Sequence, residues 1–216
     1  MKTILFDLDG TLTNPFEGVA KGIQFTMAEL GREIPETDSL RLCIGPPLHH
    51  SFGRLLEKNS NSDLVEEALT KYRLYYKDKG LFENEVYEGI PETLEALGKK
   101  FKLYVATSKP QPFAEHVIEH FGLSKHFQSI HGSLLDGGRS DKKELLAHIL
   151  DEEDLNPSDT FMVGDRLYDA LGAHVNEVTM LGALWGFGSR DEFKEYNVEK
   201  VFEKPSDLLA YLNAQK

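Results

Sequence analysis

Short apolar runs that favour β-structure alternate with helical patterns along most of this chain of 216 residues, and this alternation limits its fold more than any other feature. Strands that alternate with helices are typical of a parallel sheet covered by helices. The sequence therefore predicts an α/β fold with strands at residues 3–6, 101–106, 127–131, 160–163 and 178–181.

Helix breakers and capping residues locate the helices between these strands. Pro91 opens one helix, and a second ends before Gly122. A third extends from about residue 141 to 150. Ser206 is a suitable N-cap for the closing helix, because its hydroxyl can accept a free backbone N–H of the first turn.

The strand pattern is interrupted once, by a segment with helical spacing only. Between about Pro15 and Asn84 the apolar residues recur every three or four positions, at Val19, Ile23, Met27 and Leu30 and again at Leu64, Ala68, Tyr72 and Tyr75. We therefore expect a core domain made of residues 1–14 and 85–216, and a small all-helical domain of residues 15–84 inserted after the first strand.

Composition excludes several classes of protein. The formal charge of -12 repels polyanions, so a nucleic acid polymer is not an expected partner. No apolar run approaches the roughly 20 residues of a membrane-spanning helix, and the start reaches Asp7 too soon for a signal peptide. Cys43 is the only cysteine, which excludes an internal disulfide. We expect a cytoplasmic protein without a membrane partner.

Two acids follow the first strand in the segment Phe6-Asp7-Leu8-Asp9-Gly10-Thr11. Open α/β sheets bind ligands at the carboxyl ends of their strands, which favours a functional role for Asp7 and Asp9. The alternative is a capped turn, since Asp and Gly are common in turns.

A second pair of acids follows the strand at 160–163. Asp165 ends the strand, and Asp169 lies one helical turn further on. Together with Asp7 they can surround magnesium, which prefers carboxylate and water oxygens. The alternative makes Asp165 a helix N-cap and Asp169 a surface acid.

Hydroxyl and ammonium groups are expected at the same edge of the sheet. Thr107 and Ser108 end one strand, and Lys142 begins the helix after the next, with Lys143 beside it. These groups can bind phosphoryl oxygens and balance the charge of the carboxylates. Taken alone, each lysine is more simply explained as a solvent-exposed residue.

In order and spacing, these four segments resemble the motifs of the haloacid dehalogenase superfamily, with its helical cap between the first and second motif. The resemblance extends over nearly the whole chain and implies a Rossmann-like three-layer core. Within the superfamily the chain is similar to phosphoglycolate phosphatases and more closely to a bacterial 5′-nucleotidase-like subgroup. The similarity to that subgroup involves residues 44–48, 132–142 and 182–189.

The resemblance also implies roles for individual residues. Asp7 is the nucleophile, and Asp9 is the general acid and base, with its backbone carbonyl on the metal. Thr107, Ser108 and Lys142 hold the substrate phosphate. The Mg²⁺ ligands are Asp7, Asp9, Asp165 and Asp169. The count back from Leu145-Leu146 favours Lys142 over Lys143 as the motif lysine.

Two loops outside the motifs are also assigned. Gly45, Pro46 and Pro47 form a stiff loop in the cap, which we expect to contribute to substrate specificity, although Pro47 also suits a simple helix entry. The glycines at 182, 186 and 188 are expected to shape a loop beside the acidic site.

The functions compatible with these residues belong to three classes. The first is a Mg²⁺-dependent phosphohydrolase that acts on small phosphomonoesters, such as nucleoside monophosphates or phosphoglycolate. The second is a phosphosugar mutase similar to β-phosphoglucomutase, because Asp7 and Asp9 suit that chemistry equally well. The third is a non-catalytic protein that binds a phosphorylated metabolite. The expected assembly is a monomer or a homodimer.

Overall fold

A computed structural model describes residues 1–198 and 200–214 of this chain. The chain forms two compact units, one comprising Met1–Thr13 with Val86–Lys216 and the other Asn14–Glu85. Each boundary lies one residue from the position expected from the sequence. The functional division into a core and a cap stays a prediction.

The strands are short, as expected for a small α/β protein. Within the described residues they are β1 (Thr3–Phe6), β2 (Thr13–Asn14), β3 (Glu85–Val86), β4 (Lys102–Pro110), β5 (Ser129–Ser133), β6 (Thr160–Gly164), β7 (Thr179–Ala183) and β8 (Val201–Phe202). Six of them form one sheet in the order β5-β4-β1-β6-β7-β8, and every pair in it is parallel. β2 and β3 pair separately.

Helices connect the strands and supply the layers on the sheet. In the described part of the chain they are α1 (Phe16–Glu29), α2 (Leu48–Leu55), α3 (Asp63–Tyr75), α4 (Ile90–Leu97), α5 (Gln111–His120), α6 (Lys142–Glu152), α7 (Leu167–Val175), α8 (Arg190–Lys194) and α9 (Pro205–Ala214). None of these helices is both long and apolar enough to span a membrane.

The central strand β1 explains why this sheet needs cover on both faces. All four of its residues are buried, in contrast to the alternating burial of a strand with one solvated face. On one face, side chains of the sheet pack with those of α6 and α7 in a single apolar cluster, which contains Leu5, Tyr104, Ala106, Leu145, Leu146, Ile149, Met162, Ala173 and Val178. The predicted α/β fold with a parallel sheet is confirmed.

One local prediction was wrong, and three of the described strands were not predicted. The strands β2, β3 and β8 were missed because two residues are too short for a hydrophobic pattern. Ser206 is not the N-cap of the closing helix, since α9 already begins at Pro205. A proline suits the first position of a helix because its fixed φ is helical and its missing N–H would have no partner there.

The unit Asn14–Glu85 is mainly helical. It contains α1, α2 and α3, a 3₁₀ segment at Thr37–Cys43 and one π turn at Tyr76–Gly80. Its interior includes aromatic contacts, in which the ring of Tyr72 stacks on that of Tyr76 at 5.2 Å.

Candidate active site

Three strand ends meet at one edge of the sheet and carry the predicted acids and hydroxyl. Phe6 of β1 pairs with Val105 of β4 on one side and with Val163 of β6 on the other. The next residue, Asp7, donates its backbone N–H to the carbonyl of Val163 at 2.9 Å. This register places Asp7 between the residues that follow Val105 and Val163, which include Thr107 and Asp165.

Lys142 links the beginning of α6 to this edge. The side chain of Asp141 caps α6 by accepting the N–H of Lys143, so that Lys142 is the first helical residue. The Lys142 Nζ atom lies 2.8 Å from Asp7 Oδ1, 2.6 Å from Asp169 Oδ1 and 2.7 Å from the carbonyl oxygen of Ala106. Burial by itself lowers the pKa of Lys142, but Asp169 and Asp7 raise it above its usual value. The ammonium therefore stays charged.

The carboxylates of Asp7, Asp165 and Asp169 form a buried acidic trio. One oxygen of each lies within 4.8 Å of the others. Burial, followed by the charges of Asp169 and Asp7, raises the pKa of Asp165 well above its usual value. Burial also raises the pKa of Asp169 to about 6, although Lys142 acts in the opposite direction. Lys142 contacts Asp7 and Asp169, but burial still raises the pKa of Asp169 and of Asp165.

The hydrogen bonds of Asp165 leave one of its two carboxylate oxygens available to a cation. Its Oδ2 accepts the backbone N–H of Phe187 at 2.7 Å. Its Oδ1 is buried and has no hydrogen-bond donor among the described residues. A buried carboxylate oxygen without a donor, next to two further acids, suits a hard divalent cation with oxygen ligands. The acidic trio thus fits a metal such as magnesium.

Asp169 is oriented by the first turn of α7. Its Oδ2 accepts the backbone N–H of Arg166 at 3.1 Å, as in a capping box. The side chain of Arg166 pairs with Glu192 at 3.0 Å. The alternative interpretation made Asp165 a helix N-cap and Asp169 a surface acid. It was wrong, because Arg166 is the N-cap of α7 and Asp169 is buried.

Glycines allow the backbone to approach the acidic trio closely. Gly10 has a φ of 93°, which disfavours residues with a side chain, and a Cβ there would collide with the Asp165 carboxylate. A Cβ on Gly186 or Gly188 would also collide with Asp165. The prediction of a glycine loop beside the acids is confirmed for these two. It was wrong for Gly182, which faces Phe193 and Val201 instead.

The carboxylate of Asp9 has a partner that the sequence analysis missed. Its Oδ2 lies 2.5 Å from the Nζ atom of Lys109, a residue of β4. Burial raises the pKa of Asp9, and the Lys109 ammonium opposes this shift. Lys109 follows Thr107 at strand spacing, and residues two apart in a strand point to the same face. That spacing suggests a shared face with Thr107, but it does not by itself mark Lys109 as a functional residue.

The two predicted hydroxyls differ in their surroundings. Thr107 is buried, and its Oγ1 accepts the backbone N–H of Lys109 at 3.2 Å. Ser108 is half-buried, and its carbonyl oxygen accepts the hydroxyl of Ser133 at 2.9 Å. Thr107 therefore lies at the acidic edge, whereas the described contact of Ser108 is made by its backbone. The phosphate-binding role of both stays a prediction.

The predicted specificity residues lie in the smaller unit. Gly45 has a φ of 99°, and Pro47 is the residue before α2. Gly45, Pro46 and Pro47 are all half-buried. The helix-entry interpretation of Pro47 agrees with this geometry, and the role of the loop in specificity stays a prediction.

A second group of potential metal ligands is better explained by ion pairs. This group consists of His131, His148 and Glu152, and each residue has one potential ligand atom within 4.8 Å of those of the other two. Glu152 Oε2 is 2.7 Å from His148 Nε2, and Glu153 Oε1 is 2.9 Å from His131 Nε2. A guanidinium nitrogen of Arg139 also contacts His148 Nε2. Because magnesium prefers carboxylate oxygens to imidazole nitrogens, the acidic trio is the better site for this metal.

Comparisons with known proteins show the family to which this chain belongs. A family model described as haloacid dehalogenase-like hydrolase matches residues 4–183. A 5′-nucleotidase from Pseudomonas aeruginosa is 46% identical over 194 residues, which cover 89% of this chain and 87% of the relative. The tyrosine-protein kinase PtkA from Mycobacterium tuberculosis is 35% identical over 189 residues, which cover 87% of this chain and 64% of the kinase. Other relatives are named phosphoglycolate phosphatase.

The fold is also similar to solved structures. The crystal structure of a predicted phosphatase from Clostridium acetobutylicum superposes with a TM-score of 0.93 at 36% sequence identity. The match covers 98% of each chain. The similarity therefore includes nearly the whole chain and is not limited to the motifs at the sheet edge.

Proposed function

Because this chain belongs to the haloacid dehalogenase-like hydrolase family and is a phosphoric monoester hydrolase, we propose that it hydrolyses small phosphorylated metabolites with Asp7 as the nucleophile. The observation that carries this proposal is the position of Asp7. Its carboxylate contacts Lys142 and belongs to the buried acidic trio, at the sheet edge where α/β proteins bind ligands.

The groups around Asp7 carry more negative than positive charge, so an anionic substrate needs an additional cation there. Four carboxylates, those of Asp7, Asp9, Asp165 and Asp169, face the two ammonium groups of Lys109 and Lys142. Asp7, Asp165 and Asp169 would hold a magnesium ion, whose charge reduces the repulsion between Asp7 and a phosphoryl group.

Asp7 performs the first step by attacking phosphorus. A bond forms between an oxygen of Asp7 and phosphorus, and the bond from phosphorus to the alcohol oxygen breaks. Asp9 gives its proton to the departing alcohol. The product is an aspartyl phosphate on Asp7, and this covalent route replaces one difficult step by two easier ones.

Asp9 then acts in the reverse direction. Its carboxylate accepts a proton from the water that attacks the aspartyl phosphate, which releases inorganic phosphate and restores Asp7. A group that gives and then takes a proton needs a pKa near working pH. The raised pKa of Asp9 supports this assignment.

Lys142 and Thr107 hold the phosphoryl oxygens in this proposal. Lys142 reaches the oxygens of Asp7 and Asp169, so its ammonium is within reach of a group transferred to Asp7. Thr107 is buried at the same edge. Positive charge and hydroxyl donors at the reacting phosphorus stabilise the charge of the transition state.

Release of inorganic phosphate from a panel of substrates in the presence of Mg²⁺ tests the proposal. The panel contains nucleoside 5′-monophosphates, phosphoglycolate and β-glucose 1-phosphate. We expect release from at least one of the first two classes and none by the variant Asp7→Asn. The exposed Asp191→Asn, placed on α8, is the matched control and keeps full activity.

Three results would contradict the proposal. Full activity of Asp7→Asn would exclude this nucleophile. Isomerisation of β-glucose 1-phosphate without release of phosphate would favour the mutase instead. A ligand-induced rise in melting temperature without turnover of any substrate would favour a protein that only binds phosphorylated metabolites.

A further inference from the structure

Among the described residues, Lys109 is one of two buried lysines, and both lie at the acidic edge of the sheet. Its side chain is 5% exposed, and its Nζ atom lies 2.5 Å from Asp9 Oδ2. Lysine is almost never fully buried unless it is paired, and Asp9 supplies a partner for Lys109. An inference about Lys109 rests on the proposed function, because Asp9 acts as acid and base in it.

The two lysines have separate partners. The Lys142 Nζ atom is engaged with Asp7, Asp169 and the carbonyl of Ala106. The contacts with Asp7 and Ala106 are hydrogen bonds, and the contact with Asp169 is an ion pair. Lys109 contacts the other acid of the first motif, Asp9. Each of the two acids in the DxD segment therefore has its own cation.

The contact with Lys109 is what orients the Asp9 carboxylate. Asp9 Oδ1 is buried and has no hydrogen-bond donor in the described part of the chain. Without Lys109, the carboxylate would be able to rotate about its terminal torsion, which is soft for an Asp side chain. Proton transfer depends strongly on this geometry, because donor and acceptor must lie within hydrogen-bond reach.

The backbone around Lys109 is itself well supported. Its N–H donates to Thr107 Oγ1 at 3.2 Å. The pairing of β4 with β5 is irregular between Ala106 and Pro110, and such irregularities redirect side chains at functional sites. A Cβ at Gly132 would lie 2.7 Å from the Lys109 carbonyl oxygen, so β5 packs directly against this backbone.

We propose that Lys109 is a positioning residue, which holds the Asp9 carboxylate in the orientation from which Asp9 exchanges protons with the leaving alcohol and the attacking water. Lys109 does not need to touch the substrate for this role. Its effect should therefore appear only in steps that need a proton from Asp9 or transfer one to it.

Leaving groups of different basicity separate this role from a structural one. A nitrophenolate departs without a proton, whereas an alkoxide needs one. The test measures formation of the phosphoenzyme by Lys109→Met in rapid-mixing experiments, with p-nitrophenyl phosphate and with an alkyl phosphate that the wild type hydrolyses. We expect a loss of about 10²-fold for the alkyl phosphate and little change for the nitrophenyl ester.

The second step supplies an independent expectation. Asp9 is the base for hydrolysis of the aspartyl phosphate whatever the leaving group was. Lys109→Met should therefore slow dephosphorylation by the same factor with both substrates, and phosphoenzyme should accumulate from the nitrophenyl ester. Lys109→Arg keeps the cation and should restore part of the lost rate.

A double-mutant cycle tests whether Lys109 acts through Asp9. If it does, Lys109→Met combined with Asp9→Asn should be no slower than Asp9→Asn alone. Additive losses would overturn the proposal. An equal loss of phosphoenzyme formation with both leaving groups would also overturn it, and so would a raised KM with an unchanged kcat, which would mean direct contact with the substrate phosphate.

Controls separate these outcomes from misfolding and from failure of the proposed function. Lys143→Met replaces an exposed lysine that pairs with Asp141, and it should keep wild-type rates. If Lys109→Met does not fold, Lys109→Gln replaces it in every comparison. If the wild type forms no phosphoenzyme, the proposed function fails. If it forms one but the variants do not show the dependence on leaving group, only the role of Lys109 fails.

Discussion

Lys142 Nζ lies 2.8 Å from Asp7 Oδ1, although 135 residues separate the two in the chain. The side chains are 4% and 8% exposed, so the pair is shielded from water. One ammonium thereby ties the beginning of α6 to the end of β1 and also reaches Asp169 of α7. This contact links stability and activity, and four predictions concern it or its neighbours.

Lys142→Met should reduce both stability and activity. It removes the cation from two buried carboxylates, which costs on the order of 3–5 kcal/mol in the free energy of unfolding. It also removes a donor to the transferred phosphoryl group, with an expected loss of at least about 10²-fold in kcat. Urea denaturation and phosphate release measure the two effects.

Lys143→Met is the matched control for this prediction. The Lys143 side chain is 41% exposed and lies 3.2 Å from Asp141. Removing an exposed pair should change the free energy of unfolding by less than about 1 kcal/mol and leave activity intact. Equal effects of the two substitutions would contradict the assignment of Lys142 as the motif lysine.

Asp9→Asn should slow hydrolysis far more than it weakens the binding of magnesium. The Asp9 side chain contacts Lys109 and is not part of the acidic trio. We expect a loss of about 10²–10⁴-fold in kcat, because proton transfer is removed. Calorimetric titration with Mg²⁺ without substrate should give nearly the wild-type affinity. Asp165→Asn should weaken the binding of Mg²⁺ strongly, because Asp165 belongs to the acidic trio. Equal losses of Mg²⁺ affinity in the two variants would contradict the separate roles of Asp9 and Asp165.

The metal-free protein should become less stable as the pH rises. The folded protein holds the pKa of Asp169 at about 6 and that of Asp165 well above the usual 3.8. Between 3.8 and these raised values the folded state binds more protons than the unfolded state, so the free energy of unfolding falls as pH increases. From pH 5 to pH 8 we expect a loss on the order of 1–3 kcal/mol from these groups.

Comparison with Asp165→Asn isolates this contribution from the other titrating groups. The variant cannot carry the charge at 165, so its stability should depend less on pH in chelator-treated samples. Magnesium should raise the melting temperature of the wild type more at pH 8 than at pH 5, because protons compete with the cation for the same carboxylates. A wild type and a variant with parallel pH profiles would contradict the raised pKa of Asp165.

Gly186→Ala should impair the metal site without a general loss of folding. The new Cβ would collide with the side chain of Asp165 and the carbonyl of Gly10. We expect a loss of about 10-fold or more in magnesium affinity, comparable to that caused by disturbing the support of a metal ligand. Gly98→Ala is the control, since the nearest atom to its Cβ would be the Leu94 carbonyl oxygen at 3.2 Å. A normal magnesium affinity in Gly186→Ala would show that the loop tolerates a side chain.

Much of the fold followed from local patterns in the sequence. The predicted strand at 3–6 matches β1, and the predicted run at 160–163 is one residue shorter than β6. These strands were predictable because burial on both faces requires continuous apolar runs. The strand β8 was not, since its two residues contain too little pattern.

The candidate site was predictable where residue type and strand position agree. Asp7, Asp165 and Thr107 each follow or end an apolar run, and parallel strands bring their carboxyl ends together. Lys109 also lies near a strand end, but a lysine there has no distinguishing mark in the sequence. Its significance is visible only from its contact with Asp9, a residue 100 positions away.

The sequence by itself determined the order of the longer strands and helices along the chain, because apolar periodicity and helix breakers act over a few residues. It also placed the acids after the strands that meet at one edge of the sheet. Only the tertiary structure decided which lysine pairs with which acid and how far the pKa of Asp165 rises. Those properties depend on distances of a few ångströms and on the exclusion of water between residues far apart in the chain.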